Sequence, residues 1–164
     1  MRAERSHRQL REVLAIRVVS IGQQLLDAGT DAVDEYTFMQ TPEASEKLRD
    51  HQKNFIREED FRWLKNAGVN AVRIPVGYWI FEGDAPYISC IGRLDWAVRM
   101  AEKYDIQVLI CLHGAPGSQN GQDHSGRKGS IGWYDDEAGR QRTVDVLRQL
   151  AEYFRKSTHV WGIE

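Results

Sequence analysis

A chain of 164 residues, 41% hydrophobic and 28% charged with a net charge of −2, has the length and composition of one globular domain. That near-neutral balance, with no basic stripe interleaved with aromatics, argues against a nucleic-acid partner. No apolar run approaches the roughly 20 residues of a membrane span, so no membrane partner is expected.

Met1 to Arg11 is charged and no apolar core follows, so no signal peptide is expected and the compartment stays open. Arg2, Arg5, Arg8, Arg11 and Arg17 alternate with Glu4, Glu12 and apolar positions, the pattern of a solvated helix face. Residues 1 to about 54 carry weak signals. Val13 to Val19 fits a first strand or part of a helix, and residues 31–45 read as loop and turn.

From about Phe55 onward helix and strand alternate. Glu58, Glu59 and Asp60 supply the negative charge that a helix N-terminus favours. Phe61, Leu64 and Ala67 form its apolar face, and Gly68 suits the position just past its end. Asn70 to Val76 reads as the next strand, with Pro75 expected at its exit because proline cannot donate to a central ladder. A second helix from near Gly92 presents Leu94, Ala97, Val98, Ala101 and Tyr104 at helical spacing.

Ile106 to Leu112 is a continuous apolar run, the mark of a strand buried on both faces of a parallel sheet. Neither Cys90 nor Cys111 has a metal-type spacing, and Cys111, inside that run, reads as a small core residue. The loop from His113 to about Trp133 carries six glycines, and loops of that length in a compact domain are usually functional or mobile. A third helix from about Glu137 to Phe154 sets Val144, Leu147, Leu150, Ala151 and Phe154 on one side, and His159 to Glu164 starts one more strand. Repeated helix–strand alternation predicts an α/β fold with a parallel sheet. No Gly-x-Gly-x-x-Gly fingerprint follows the first clear strand, and no Gly-Lys-Ser/Thr follows the glycine loop, so no nucleotide cofactor is expected.

Several stretches resemble one known family. They are Asp34-Glu35-Tyr36-Thr37, residues 51–61, and Asn70-Ala71-Val72-Arg73-Ile74-Pro75-Val76-Gly77-Tyr78-Trp79. They continue through Leu112-His113-Gly114-Ala115-Pro116-Gly117-Ser118-Gln119-Asn120-Gly121, Ser125-Gly126-Arg127 and Val160-Trp161-Gly162-Ile163-Glu164. The series resembles the glycoside hydrolase family 5 enzymes, and within them the exo-β-1,3-glucanase branch. It covers roughly four-fifths of the chain, in order. The resemblance implies the N-terminal half of a (β/α)8 TIM barrel, with about four parallel strands and their helices. Residues 1–33 would be a poorly matched N-terminal segment and residues 34–164 the partial barrel.

The implied activity is hydrolysis of β-glucosidic bonds with retention, in a β-glucan or glucoside substrate. That chemistry needs two carboxyl groups about 5 Å apart, one as acid/base and one as nucleophile. In the family the acid/base glutamate lies in an Asn-Glu-Pro motif after the fourth strand and the nucleophile on the seventh. Neither is in this sequence. Glu164 matches a position a few residues ahead of the acid/base and reads as structural or terminal. No metal is implied. Family members are often secreted or associated with the cell wall.

Two residues carry over in supporting roles. Arg73 matches the arginine that supports the nucleophile carboxylate. It lies between Val72 and Ile74, which face the other way, so its charge should point into the barrel and need a partner. His113 matches the histidine that hydrogen-bonds a sugar hydroxyl at the −1 subsite. Asn120, Asp123 and His124 fall where the family loop lines the positive subsites and are candidate substrate-binding residues.

There are also departures from the family. Gln122 stands where this branch often has an aromatic that stacks on sugar. Residues 16–26 lack a Gly-Gly-Trp type motif. Arg57 replaces a helix N-cap hydroxyl, worth about 1 kcal/mol.

Other enzyme classes fit poorly. Ser118 has no Gly-x-Ser-x-Gly elbow for a serine hydrolase. His113, Asp123 and His124 match no metal-ligand spacing. The rival is a non-catalytic half-barrel that binds glycans or self-associates through open barrel edges, since unpaired strand edges template pairing.

Overall fold

The computed structural model describes residues 13–16 and 31–164. Arg2, Arg5, Arg8, Arg11 and Arg17, and residues 17–26 of the departing stretch, lie outside them. The elements in chain order are β1 (Val13–Ala15), α1 (Glu35–Phe38), α2 (Ala44–Phe55), α3 (Glu58–Asn66) and β2 (Ala71–Gly77). Then follow α4 (Ile91–Lys103), β3 (Gln107–Gly114), α5 (Glu137–Phe154) and β4 (Val160–Ile163). The four strands form one parallel sheet in the order β1-β2-β3-β4. This is the α/β architecture expected from the alternation, and Val13 to Ala15 resolves as strand.

The core lies between one face of this sheet and the helices. Val72, Ile74 and Val76 of β2 and Val108 and Ile110 of β3 point into it and are buried. They meet Phe61 and Leu64 of α3, Leu94, Ala97, Val98 and Ala101 of α4, and Val146, Leu150 and Phe154 of α5 in a single cluster. Each such large side chain contributes about 1.5–3 kcal/mol by leaving water.

Some expectations shift. Pro75 sits two residues inside β2, not at its exit, and pairs in register with Cys111. The Arg73 carbonyl accepts from Ile16 N at 2.9 Å, so positions 73 and 75 turn their backbone toward the β1 side. Among the described residues β1 pairs as far as Arg73, so the missing proline N–H breaks no bond of that pairing. The buried face of α5 is rotated from the expected one: Gly139, Val146, Leu150 and Phe154 are buried, whereas Val144 and Ala151 are exposed. Ala67 is exposed as the C-cap of α3, and Gly68 follows at φ +85°.

α1 interrupts residues 31–45, the stretch read as loop and turn, and α2 begins at its end, in the region of weak signals. Asp34 caps α1 with a complete capping box: its Oδ1 accepts from Thr37 N at 2.7 Å, and Thr37 Oγ1 accepts from Asp34 N at 3.2 Å. α2 is largely polar and buries only Ala44, Leu48 and Gln52, one residue per turn. Its N-cap, Glu43, is left-handed at φ 61° and makes no side-chain cap, so the usual start signal is absent. At α3, Arg57 indeed offers no side-chain cap, but the Asp60 carboxylate accepts from Arg57 N at 2.7 Å and supplies half of the missing closure.

Candidate active site

The opposite face of the sheet carries the polar groups. Strand alternation puts Arg73 of β2 and Cys111 and His113 of β3 on that face. Glu164 continues the β4 ladder: its N donates to Ile110 O at 2.8 Å, and its O accepts from Leu112 N at 2.7 Å. With Ile163 paired to Ile110, Glu164 falls opposite Cys111. Three neighbouring strands therefore present Arg73, Cys111 and Glu164 on one face; Glu164 lies just past β4, level with Cys111, whereas Arg73 is the third residue of β2, two residues below that level, inside the strand and not at its exit.

The three form one charged network. Arg73 Nε donates to Glu164 Oε2 at 3.1 Å and Nη2 to Glu164 Oε1 at 2.7 Å, a fork on a carboxylate. Nη2 also lies 2.7 Å from Cys111 Sγ, which is 3.6 Å from Glu164 Oε1 and 3.9 Å from His113 Nδ1. The hydrogen bond from Arg73 holds the Glu164 carboxyl below the usual range, and Glu164 in turn raises Arg73. Burial pushes the Cys111 thiol up to about 11, so it is neutral at physiological pH.

The partner that the charge of Arg73 requires is thus Glu164. Cys111 corrects the reading as an apolar core residue. It is buried, but against the guanidinium and not among the aliphatic side chains. Its apolar sequence neighbours hid this, because alternate residues of one strand face opposite layers.

The glycine-rich loop folds back over His113. Gln119 clamps its start, its Nε2 donating to His113 O at 2.6 Å and its Oε1 accepting from Ala115 N at 3.0 Å. The His124 ring lies 4.7 Å from the His113 ring, and Asn120 Nδ2 is 3.3 Å from His124 Nε2. Of the three loop candidates, then, Asn120 and His124 join His113. Asp123 is exposed and opens the short 3-10 turn Asp123–Ser125.

Trp79, just past β2, anchors this loop from beneath. Its Nε1 donates to the buried Glu35 Oε1 at 2.8 Å, and its ring stacks on Tyr87 at 4.1 Å. A Cβ at Gly77 or Gly126 would overlap the indole, so glycine at both positions is what lets the ring in. Asp34 ties the same loop to α1 by accepting from Lys128 N at 2.7 Å. Gln119, Trp79, Glu35 and Asp34 were not singled out by sequence reasoning. Asp34, Glu35, Trp79 and Gln119 do lie inside the matching stretches, which was the available signal. Among the described residues no group of three or more His, Cys, Asp or Glu is placed to hold a metal ion. No described helix is long and apolar enough to cross a membrane.

A parallel sheet with helices against one face and a polar cluster on the other is the arrangement of an α/β protein, and it fits part of a barrel. Comparison with known proteins narrows this. The family model "Cellulase (glycosyl hydrolase family 5)" matches residues 30–164, and the chain belongs to that family. A glucan 1,3-beta-glucosidase of Pichia angusta is 44% identical over 142 residues, spanning 80% of this chain and 32% of that protein. A probable glucan 1,3-beta-glucosidase A of Aspergillus fumigatus is 45% identical over 145 residues, spanning 84% and 35%. The chain thus spans about a third of the length of these curated relatives. The crystal structure of rutinosidase from Aspergillus niger superposes with a TM-score of 0.78 at 16% identity, covering 92% of this chain and 48% of that one. At that identity the likeness concerns fold, and it agrees with a partial (β/α)8 barrel.

Proposed function

We propose that this chain forms part of a retaining β-glucosidase-type site acting on β-glucan, most readily on β-1,3 linkages. The observation that carries it is the Arg73–Glu164 fork, which spans β3 on the inner face of the sheet and meets Cys111, itself 3.9 Å from His113 Nδ1. The names of the 44–45% identical relatives support the substrate class.

The residues have distinct roles in this proposal. Glu164, with both oxygens engaged, holds the guanidinium and is not itself the acid or the nucleophile. Arg73 uses Nε and Nη2 for Glu164 and Cys111, which leaves Nη1 to donate to a further carboxylate. A nucleophilic carboxylate bound there stays ionised and oriented. His113 hydrogen-bonds a hydroxyl of the sugar at the −1 position, with Asn120 and His124 extending the polar rim over the leaving-group side. Asp123 sits at the edge of that rim.

The test is kinetic, in the enzyme that carries this chain. Arg73→Ala lowers kcat on a β-1,3-glucan by on the order of tenfold or more, the loss expected for a charge-assisted bond. His113→Ala raises KM for glucose-bearing substrates. Unchanged kinetics in both variants overturns the assignment, and glycan binding without turnover favours a non-catalytic module. Leu14 of β1 and Trp161 of β4 are exposed on the outer strands, which supports self-association of the chain through its sheet edges. A monodisperse monomer in sedimentation rejects that part.

A further inference from the structure

A separate pocket of about 350 Å³ is bounded by the glycine-rich loop and lined in part by Tyr36, Tyr78, Tyr87, Arg127, Lys128 and Ser130. Arg73, His113, His124 and Glu164 do not line it. Its volume lies at the lower end of ligand-binding cavities, enough for one sugar ring.

The chemistry of its wall is one-sided. The Arg127 guanidinium lies 4.2 Å over the Tyr36 ring, and its positive field reaches Tyr78 and Tyr87. Among the described residues neither Arg127 nor Lys128 has an ion-pair partner. Burial keeps the Tyr78 and Tyr87 phenols neutral, and the two are hydrogen-bonded to each other. No carboxylate or side-chain amide lines the pocket. The buried carboxylates whose charge reaches Tyr87 are already engaged elsewhere. Asp34 accepts from Thr37 and Lys128 N, and Glu35 from Trp79.

The tyrosine and serine hydroxyls of the wall donate or accept and so fit sugar hydroxyls, whereas the guanidinium and the ammonium donate only. An oxyanion accepts only, and two cations without an ion-pair partner among the described residues complement it. The aromatic rings supply the flat apolar surface on which a pyranose face rests. We infer that this pocket binds an acidic sugar: a pyranose ring bearing an oxyanion held by Arg127 and Lys128. The site is independent of hydrolysis at Arg73.

Calorimetric titration of the chain tests it with four probes: glucuronate, glucose 6-phosphate, glucose and inorganic phosphate. At least one acidic sugar should bind about tenfold or more tightly than either glucose or phosphate. Which of the two acidic sugars binds identifies a carboxylate or a phosphate source. Binding should weaken with rising salt. Arg127→Gln should lose about tenfold in affinity with an unchanged far-ultraviolet circular dichroism spectrum, since Arg127 is exposed. Lys128→Gln gives the same readout should the first variant misfold. Acidic sugars no tighter than glucose, phosphate alone as tight as the sugars, or full affinity in the well-folded variants would each overturn the proposal.

Discussion

The two faces of the one sheet could hardly differ more. Toward the helices, Val72, Ile74, Val76, Val108 and Ile110 are closed off from water in one apolar cluster. Toward the barrel interior, Arg73, Cys111, His113 and Glu164 hold one another through charge-assisted and thiol contacts, and half of the Glu164 side chain remains exposed. A single residue step along β2 or β3 moves from one regime to the other. The helix-side face stabilises the fold, and the inner face spends polar groups on positioning. Substitutions should therefore separate cleanly into stability effects and activity effects.

The largest expected effect is on the helix side. Ile110→Ala or Leu150→Ala should cost about 2–5 kcal/mol in denaturant unfolding, because the cavity adds to the lost transfer energy. Next comes the loop anchor. Gly126→Ala adds a Cβ against the Trp79 indole and forces alanine to φ +93°, so about 1–3 kcal/mol should be lost. The near-ultraviolet tryptophan signal should change with it, and an unaltered signal would mean that Trp79 is not clamped. On the inner face the expectation inverts. Arg73→Ala should leave the melting temperature nearly unchanged while lowering turnover, because a half-exposed pair contributes at most about 1 kcal/mol. A multi-kcal/mol loss in Arg73→Ala would erase the distinction between the faces.

The smallest effect is a pH dependence. Glu164 is held below the usual carboxylate range by Arg73, so the folded state binds its proton less readily than the unfolded chain does. The pair's contribution is then complete above the ordinary glutamate range and lost as pH falls through the depressed value. Melting curves of the native protein and Glu164→Gln should converge below that range and separate by under about 1 kcal/mol at neutral pH, after allowance for solvent screening. Curves that stay apart in strong acid would reject the assignment.

Legibility along the chain followed the strength of local signals. α4 was readable because Leu94, Ala97, Val98 and Ala101 recur at helical spacing and all four are buried. α2 was not, because it buries one residue per turn and starts at an uncapped left-handed Glu43. For α5 the element was plain but its rotation was not. Val144 and Val146 both fit an apolar stripe, and packing against the sheet selected Val146. At the site, Arg73 and His113 stood out as polar residues in otherwise apolar strands. Cys111 was concealed because periodicity cannot distinguish the two faces of a strand buried on both sides.

By itself, the order of apolar runs and breakers determined a parallel α/β sheet, and the matching stretches determined family membership and the two polar candidates. Those are local properties, written in spacing and residue type. Only the tertiary structure decided that Glu164 is the partner of Arg73, 91 residues away, that Cys111 stands between them, and that Trp79 locks the loop between glycines. These pairings depend on the register of parallel strands joined by long crossovers, and no local pattern encodes which residues such crossovers bring side by side.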